Sequence, residues 1–262
     1  MSVSAFRFAP SPNGELHLGH AYSALLNERM ASEMGGRFLV RIEDIDTLRC
    51  TADLTRRVLD DLGWLGLRWE QPVRIQSEHF GDYRAQQERL IQMGLLYPCF
   101  CSRKDIAANG GGRDPEGQPL YSGLCRALPQ AERARRASNE PFAMRIDMEA
   151  AMGRAGISAA VWGDVVVARK DIGTSYHMAV VTDDRSQGIT HVVRGRDLEA
   201  ATPIHLLLQR LLRFPSPHYH HHELIGGETG YKLSKSDGAK SLRALREEGL
   251  TAKDIRRMLG FV

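Results

Sequence analysis

Four groups of residues in this sequence are suited to chemistry. His17-Leu-Gly-His20 follows Pro10-Ser-Pro-Asn-Gly14, where a helical pattern is about to begin. A helix N-terminus has unpaired N–H groups and a positive dipole end, so it favours a phosphate. Two histidines beside it can donate to phosphate oxygens as charge builds up, and Gly19 leaves room for a flat adenine ring. Near the other end, Lys232-Leu-Ser-Lys-Ser236 follows a turn containing Gly226, Gly227 and Gly230. Lys232 and Lys235 can close over a triphosphate, as point charges on the α-phosphate and the pyrophosphate leaving group. Each motif alone has a plain alternative, a Gly/Pro turn with surface histidines or a solvated basic loop. Their joint presence points to chemistry on a nucleoside triphosphate.

The third group is charged. Arg7 closes the first expected strand, Glu43 the second, and Arg194 the strand that begins at Thr190. Open α/β sheets bind ligands outside the carboxyl ends of their strands. Two guanidinium forks suited to carboxylates and one carboxylate suited to an ammonium would meet there. Taken singly, each is more often a surface charge.

The fourth group is Cys99-Phe-Cys101 with Cys125, three thiols close in sequence and one short of a closed structural zinc site. In a reducing compartment such clustering suggests a metal more than a disulfide framework, buried free thiols being the alternative. His218, His220, His221 and His222 resemble a metal tract, but alternation over 217–225 fits a strand leading to the Lys232 loop. Cys50 reads as a lone small side chain.

These residues need elements to position them. Ala5–Ala9 is an expected strand, and a helix runs from Gly19 to about Met34, ended by Gly35-Gly36. Phe38–Asp44 is a second strand and Leu54–Leu65 a second amphipathic helix. Strand, helix, strand, helix at these lengths predicts a doubly wound α/β fold with a parallel sheet. Residues 98–170 read as an insertion, with a loop at Asn109–Gly117, a helical piece at Ala131–Arg136, and strands at Met144–Met148 and Val161–Ala168. Further strands are expected at Ala179–Asp183 and Thr190–Val193, then a Leu-rich helix at Pro203–Leu212. The resulting organisation is a catalytic domain in two halves, 1–97 and 171–240, around the insertion 98–170, with a helical segment at 241–262.

At 262 residues the chain can bury a sizeable core. Its net charge of +3 neither demands nor excludes a polyanionic partner, because a local basic face matters more than the sum. The N-terminus has no apolar targeting core and no apolar run approaches membrane-spanning length, so a cytoplasmic location without membrane association is expected.

His17-Leu-Gly-His20 and Lys232-Leu-Ser-Lys-Ser236 resemble the HIGH and KMSKS signatures of class I aminoacyl-tRNA synthetases. Arg7-Phe-Ala-Pro-Ser-Pro12, Arg41-Ile-Glu-Asp44, Tyr97-Pro-Cys-Phe-Cys-Ser-Arg103 and Thr190-His-Val-Val-Arg-Gly195 are similar, in order, to the glutamyl branch of that family. The resemblance covers nearly the whole chain. It implies a Rossmann-like catalytic domain, split by a zinc-containing insertion and closed by a short helical segment. Ending at Val262, the chain is expected to lack an anticodon-binding domain, like the short members of the branch.

The resemblance implies ATP-dependent activation of L-glutamate, with Mg2+ accompanying ATP. Nucleotide binding falls to His17, Gly19, His20 and Lys235, and glutamate binding to Arg7, Ala9, Ser11, Glu43, Tyr176 and Arg194. It implies one structural zinc per chain on Cys99, Cys101, Tyr121 and Cys125, with a histidine or water as alternatives to the tyrosine. For the short members the implied acceptor is the queuosine base of tRNA(Asp). A 3′ end and a non-catalytic binding role are the alternatives, and no obligate protein partner is implied. The sequence departs from the branch at Asp171-Ile-Gly173, Tyr176-His-Met178 and Ala201-Thr-Pro-Ile-His205. These departures fall at the rim of the expected pocket and remove no charged anchor.

Overall fold

Every residue of Ala5–Phe8 is buried, including an arginine, as expected of a strand covered on both faces. In the computed structural model, which describes residues 3–225 and 240–261, this segment is β1, the middle of a five-stranded sheet. Beside it run β2 (Arg37–Ile42) and β3 (Glu70–Ile75) on one side, and β7 (His191–Gly195) and β8 (His218–His222) on the other. All four neighbouring pairs are parallel, so all five carboxyl ends lie along one edge.

The chain divides into two compact units. The first comprises residues 1–78, 188–199 and 217–262, and contains this sheet. On one sheet face, Phe6, Phe8, Val40, Ile42 and Val193 pack with α1 (Leu18–Glu33) and α2 (Ala52–Trp64), through Leu25 and Leu62 among others. Leu242, Leu245 and Ile255 join the same core from α9 (Leu242–Glu247) and α10 (Ala252–Met258). The terminal helical segment is thus two helices. Gly249, at φ 95°, takes the left-handed turn between them that other residues resist.

The second unit comprises residues 79–187 and 200–216. Its strands β4 (Leu96–Cys99), β5 (Ala143–Ile146) and β6 (Val166–Ala168) form an antiparallel sheet in the order β4-β5-β6. Around it lie α3 (Phe80–Gln92), α4 (Arg103–Asn109), α5 (Gln130–Ala137), α6 (Met148–Ala155), α7 (Tyr176–Ser186) and α8 (Thr202–Leu212).

Three expectations need correction. Ala179–Asp183 is no strand but the middle of α7, in which Met178 through Asp184 are all buried. A helix buried on all sides loses its polar stripe, and a short β-branched run then reads as a strand. Ser175 shows the true start, its side chain accepting the Met178 N–H. The strand expected over Val161–Ala168 begins only at Val166, after a 3₁₀ turn at Ala160–Trp162. The strand expected over Met144–Met148 stops at Ile146, where Asp147 caps α6. Among the described residues, no helix is long and apolar enough to cross a membrane.

Candidate active site and metal centre

Strand register places the charged group. Arg7 of β1 lies opposite Leu39 of β2, and Phe6 lies opposite His191 of β7. Side chains alternate along a strand, so Arg7, Arg41, Glu43 and Arg194 all fall on the sheet face turned away from α1 and α2. Arg194 lies about two residues, roughly 7 Å, further along than Arg7. Both arginines are only 4% exposed.

Three partners of this group, Arg41, Tyr219 and His221, escaped the sequence reading. Arg41 is wholly buried, and its Nη2 lies 3.2 Å from Glu43 Oε1. The i, i+2 spacing of Arg41 and Glu43 was the available signal, since it puts both on one face. On the far side, the Arg194 guanidinium stands over the Tyr219 ring at 5.2 Å. Its Nε donates to His221 Nε2 at 3.4 Å. Burial, with the Arg194 charge beside it, holds the His221 imidazole below its usual range, which keeps it a neutral acceptor. The expected strand over the histidine tract is therefore present as β8, and one of its histidines steadies a pocket arginine. Next to Glu43, Asp44 is buried and accepts the Ser77 N–H (2.8 Å) and hydroxyl (2.7 Å), which fixes the strand end.

The histidine motif forms the cap of α1. His17 is the N-cap; the Gly19 N–H donates to its Nδ1 at 3.1 Å. The His17 N–H in turn donates to His20 Nδ1 at 3.2 Å. Each ring spends its Nδ1 lone pair on a backbone N–H, so the neutral ring carries its proton on Nε2. Two Nε2–H donors at a helix N-terminus suit a phosphate. A Cβ on Gly19 would meet His17 Cε1 at 3.0 Å and Nδ1 at 3.1 Å. Any larger residue would therefore push the capping imidazole by a few tenths of an ångström.

The chain past Lys240 returns to the α1 cap. There Ser241 bridges to His17, and the Leu242 N–H donates to the Leu16 carbonyl at 2.7 Å. Lys232 and Lys235 lie outside the described residues.

Ala9 is half-buried just past β1, and Ser11 is exposed, with its Oγ 3.6 Å from Cys50 Sγ. Burial pushes the Cys50 thiol up, so it stays protonated beside Ser11. Tyr176 belongs to the second unit, where it opens α7.

The three cysteines converge in that unit. Their Sγ atoms all lie within 4.8 Å of one another, and the Cys101–Cys125 pair is 3.5 Å apart. For a tetrahedral thiolate site with metal–sulfur bonds near 2.3 Å, sulfurs sit about 3.8 Å apart, so the set fits a soft divalent metal. Among the described residues no His, Asp or Glu completes it. Tyr121 Oη is 4.0 Å from Cys101 Sγ and accepts the Cys125 N–H at 2.7 Å. Burial raises the Cys101 thiol to about 12, with the neighbouring thiols adding to it. Burial pushes Cys125 up as well, but hydrogen bonds from Tyr121, the Phe100 N–H and the other thiols outweigh it and hold that thiol low. Crowded thiols of this kind are what a cation would hold, because metal binding displaces their protons.

Comparison with known proteins agrees with this fold. Residues 4–261 match the family model described as tRNA synthetases class I (E and Q), catalytic domain. A glutamyl-Q tRNA(Asp) synthetase of Rhodobacter capsulatus is 45% identical, over 97% of this chain and 99% of that protein. A glutamate–tRNA ligase of Aquifex aeolicus is 39% identical over 95% of this chain, which spans only 55% of that ligase. The crystal structure of a glutamate tRNA ligase from Elizabethkingia meningosepticum, in complex with its amino acid, superposes with a TM-score of 0.78 at 26% identity. It covers 98% of this chain and 60% of its own. The chain belongs to the class I aminoacyl-tRNA synthetase family of the glutamyl and glutaminyl type, a family of ligases.

Proposed function

We propose that the chain activates L-glutamate with ATP and transfers the glutamyl group to the queuosine base of tRNA(Asp). The observation that carries the first half is the single sheet face bearing Arg7, Glu43 and Arg194 at the carboxyl edge. Two guanidinium forks match the two carboxylates of glutamate, and one carboxylate matches its ammonium. Glutamine would leave one fork without an anion. Ala9 and Ser11, in the same unit, add amino-acid contacts in this reading.

An oxygen of the glutamate α-carboxylate attacks the ATP α-phosphorus, the bond to the β-phosphate oxygen breaks, and pyrophosphate leaves with its electron pair. No covalent enzyme intermediate is needed, so the work is positioning and charge stabilisation. His17 and His20 donate Nε2–H to the phosphates at the α1 N-terminus. Lys232 and Lys235 neutralise the leaving group, and Mg2+ arrives with ATP. Support for the lysines comes from the Lys232-Leu-Ser-Lys-Ser236 motif itself. A nucleophile on the tRNA then takes the acyl group.

The queuosine acceptor is supported by the end-to-end similarity to the Rhodobacter capsulatus protein. The similarity to the Aquifex aeolicus ligase supports a second reading, acylation of a tRNA 3′ end. Charging queuosine-containing and queuosine-free tRNA(Asp) with labelled glutamate separates them. Label should enter only the first, and a nuclease digest read by mass spectrometry should place it on the modified nucleoside. Equal charging of queuosine-free tRNA, or of a tRNA(Glu) 3′ end, would replace this reading with the second.

Residues 98–170 act in this reading as the insertion that meets the acceptor, stapled by zinc on Cys99, Cys101, Cys125 and Tyr121. Elemental analysis of protein prepared without chelators should find about one zinc per chain. Finding none would reject the site. Full zinc retention by Tyr121→Phe would reject the tyrosine as a ligand while keeping the thiols.

A further inference from the structure

Between β1 and β7 the strand order of the parallel sheet reverses. β2 and β3 follow β1 outward on one side, while β7 and β8 lie on the other. Open α/β sheets bind their ligands at such a switch point. The pairing also opens here. β1 pairs with β2 from Ala5 to Phe8, and β7 with β8 from His191 to Gly195, but the β1–β7 ladder is confined to Phe6 and His191. Arg7 and Arg194 both lie beyond that pair.

A buried amide holds the β7 side of this opening. Asn27 of α1 is wholly enclosed, and its Nδ2 donates to the Ser23 carbonyl at 2.8 Å and to the Val193 carbonyl at 3.0 Å. Both partners are acceptors, so the amide can face only one way. Its Oδ1 is buried and takes no donor among the described residues, which costs stability. The other buried residues of α1, Ala21, Ala24, Leu25 and Ala31, are apolar. An apolar side chain at position 27 would match them and leave no lone acceptor, but it could not hold β7.

Holding β7 at Val193 bears directly on the next residue. The Val193 side chain packs into the core shared with α1, and Arg194 points to the opposite face. The Val193 carbonyl and the Arg194 N–H belong to one planar peptide. Fixing that carbonyl therefore fixes the direction in which the arginine leaves the strand, past the point where β1 stops guiding it.

We propose that Asn27 is a positioning residue for the amino-acid pocket, setting Arg194 relative to Arg7 by tying the β7 backbone to α1. This rests on reading Arg194 as a glutamate contact. The amide touches no substrate. His20 stands about 10 Å earlier along the helix axis and is held by its own cap bond to the His17 N–H, so the phosphate chemistry is left alone. A loss confined to binding raises KM without lowering kcat.

Glutamate-dependent pyrophosphate exchange tests it, with glutamate and ATP varied separately. Asn27→Leu removes both hydrogen bonds. Asn27→Ser keeps a hydroxyl that can donate to the Ser23 carbonyl one turn back but is too short to reach Val193, and it carries the test if Asn27→Leu does not fold. Each should raise the glutamate KM about three- to tenfold, the worth of one lost hydrogen bond. The ATP KM and kcat should stay within about twofold. Leu25→Val, which loosens the same core without touching the amide, is the control for stability. Its glutamate KM should stay within about twofold even as its Tm falls. An unchanged glutamate KM in the folded Asn27 variants would overturn the proposal, as would a rise of the same size in Leu25→Val or an equal rise in the ATP KM. Arg194→Gln tests the reading beneath it. If that variant holds glutamate as the parent does, the pocket reading fails and the proposal falls with it. If it loses glutamate while the Asn27 variants keep it, only the positioning role is lost.

Discussion

A His20→Ala variant should lose about a hundredfold or more of its pyrophosphate exchange rate, the usual cost of removing one donor aimed at developing charge. His20 Nδ1 is occupied by the His17 N–H, so the ring's orientation is set before ATP arrives, and in the proposed reading its Nε2–H serves a phosphate. The same substitution also removes one partner of the α1 cap, which costs about 1 kcal/mol of stability. His20→Gln separates the two effects. Its amide oxygen can still accept the His17 N–H from the third helical position, so the melting temperature should stay close to the parent's. The rate should nevertheless remain low, because the amide does not reach where Nε2 stood. Exchange near the parent rate in His20→Ala would remove this ring from the phosphate chemistry.

Glu43→Gln should cost stability as well as activity. Arg41 is wholly buried and Glu43 only 11% exposed at its side chain. Breaking a buried ion pair leaves a charge with too little compensation, at about 3 kcal/mol, or a fall in Tm of about 10 °C. The Arg37–Glu70 pair is the internal control, because it has better hydrogen bonds but both side chains are over 40% exposed. Glu70→Gln should cost less than about 1 kcal/mol. Glutamate binding should fail in Glu43→Gln and survive in Glu70→Gln. Loss of binding with an unchanged Tm would make Glu43 a ligand contact whose pairing with Arg41 adds no net stability.

The grouping of the candidate residues was legible in the sequence because their order and spacing point one way jointly, though each alone has a plain alternative. Arg7, Glu43 and Arg194 stand at strand ends, and strand periodicity alone brings them to one face. The cysteines converge as their spacing suggested. What sequence missed was chiefly the buried polar partners. Arg41 entered only as part of the Arg41-Ile-Glu-Asp44 segment, with no partner assigned, and nothing in the spacing of His177 and His205 announces the hydrogen bond they make between two helices. Burial also explains the error at α7, whose fully covered Ala-Val-Val run has no amphipathic period to read. β3 went unnoticed for the opposite reason. It is an edge strand whose first half is exposed and which contains Pro72, so it has neither an apolar run nor a clean alternation.

The seam between β1 and β7 has a consequence for how the protein comes to be active. The Ala5 N–H donates to Thr190 Oγ1 at 2.8 Å across a separation of 185 residues. Closing a loop of that length costs on the order of 4–5 kcal/mol of chain entropy before any contact across it is rewarded. The intervening residues largely make up a unit with its own antiparallel sheet, which can gather first and shorten the effective loop. During synthesis, β1 and its buried arginine must wait beside β2 with one edge open until residue 195 has emerged. Arg7 and Arg194 meet only when that seam closes. The ability to bind an amino acid is therefore a late product of folding, and it should appear in refolding experiments after most of the helical signal has returned.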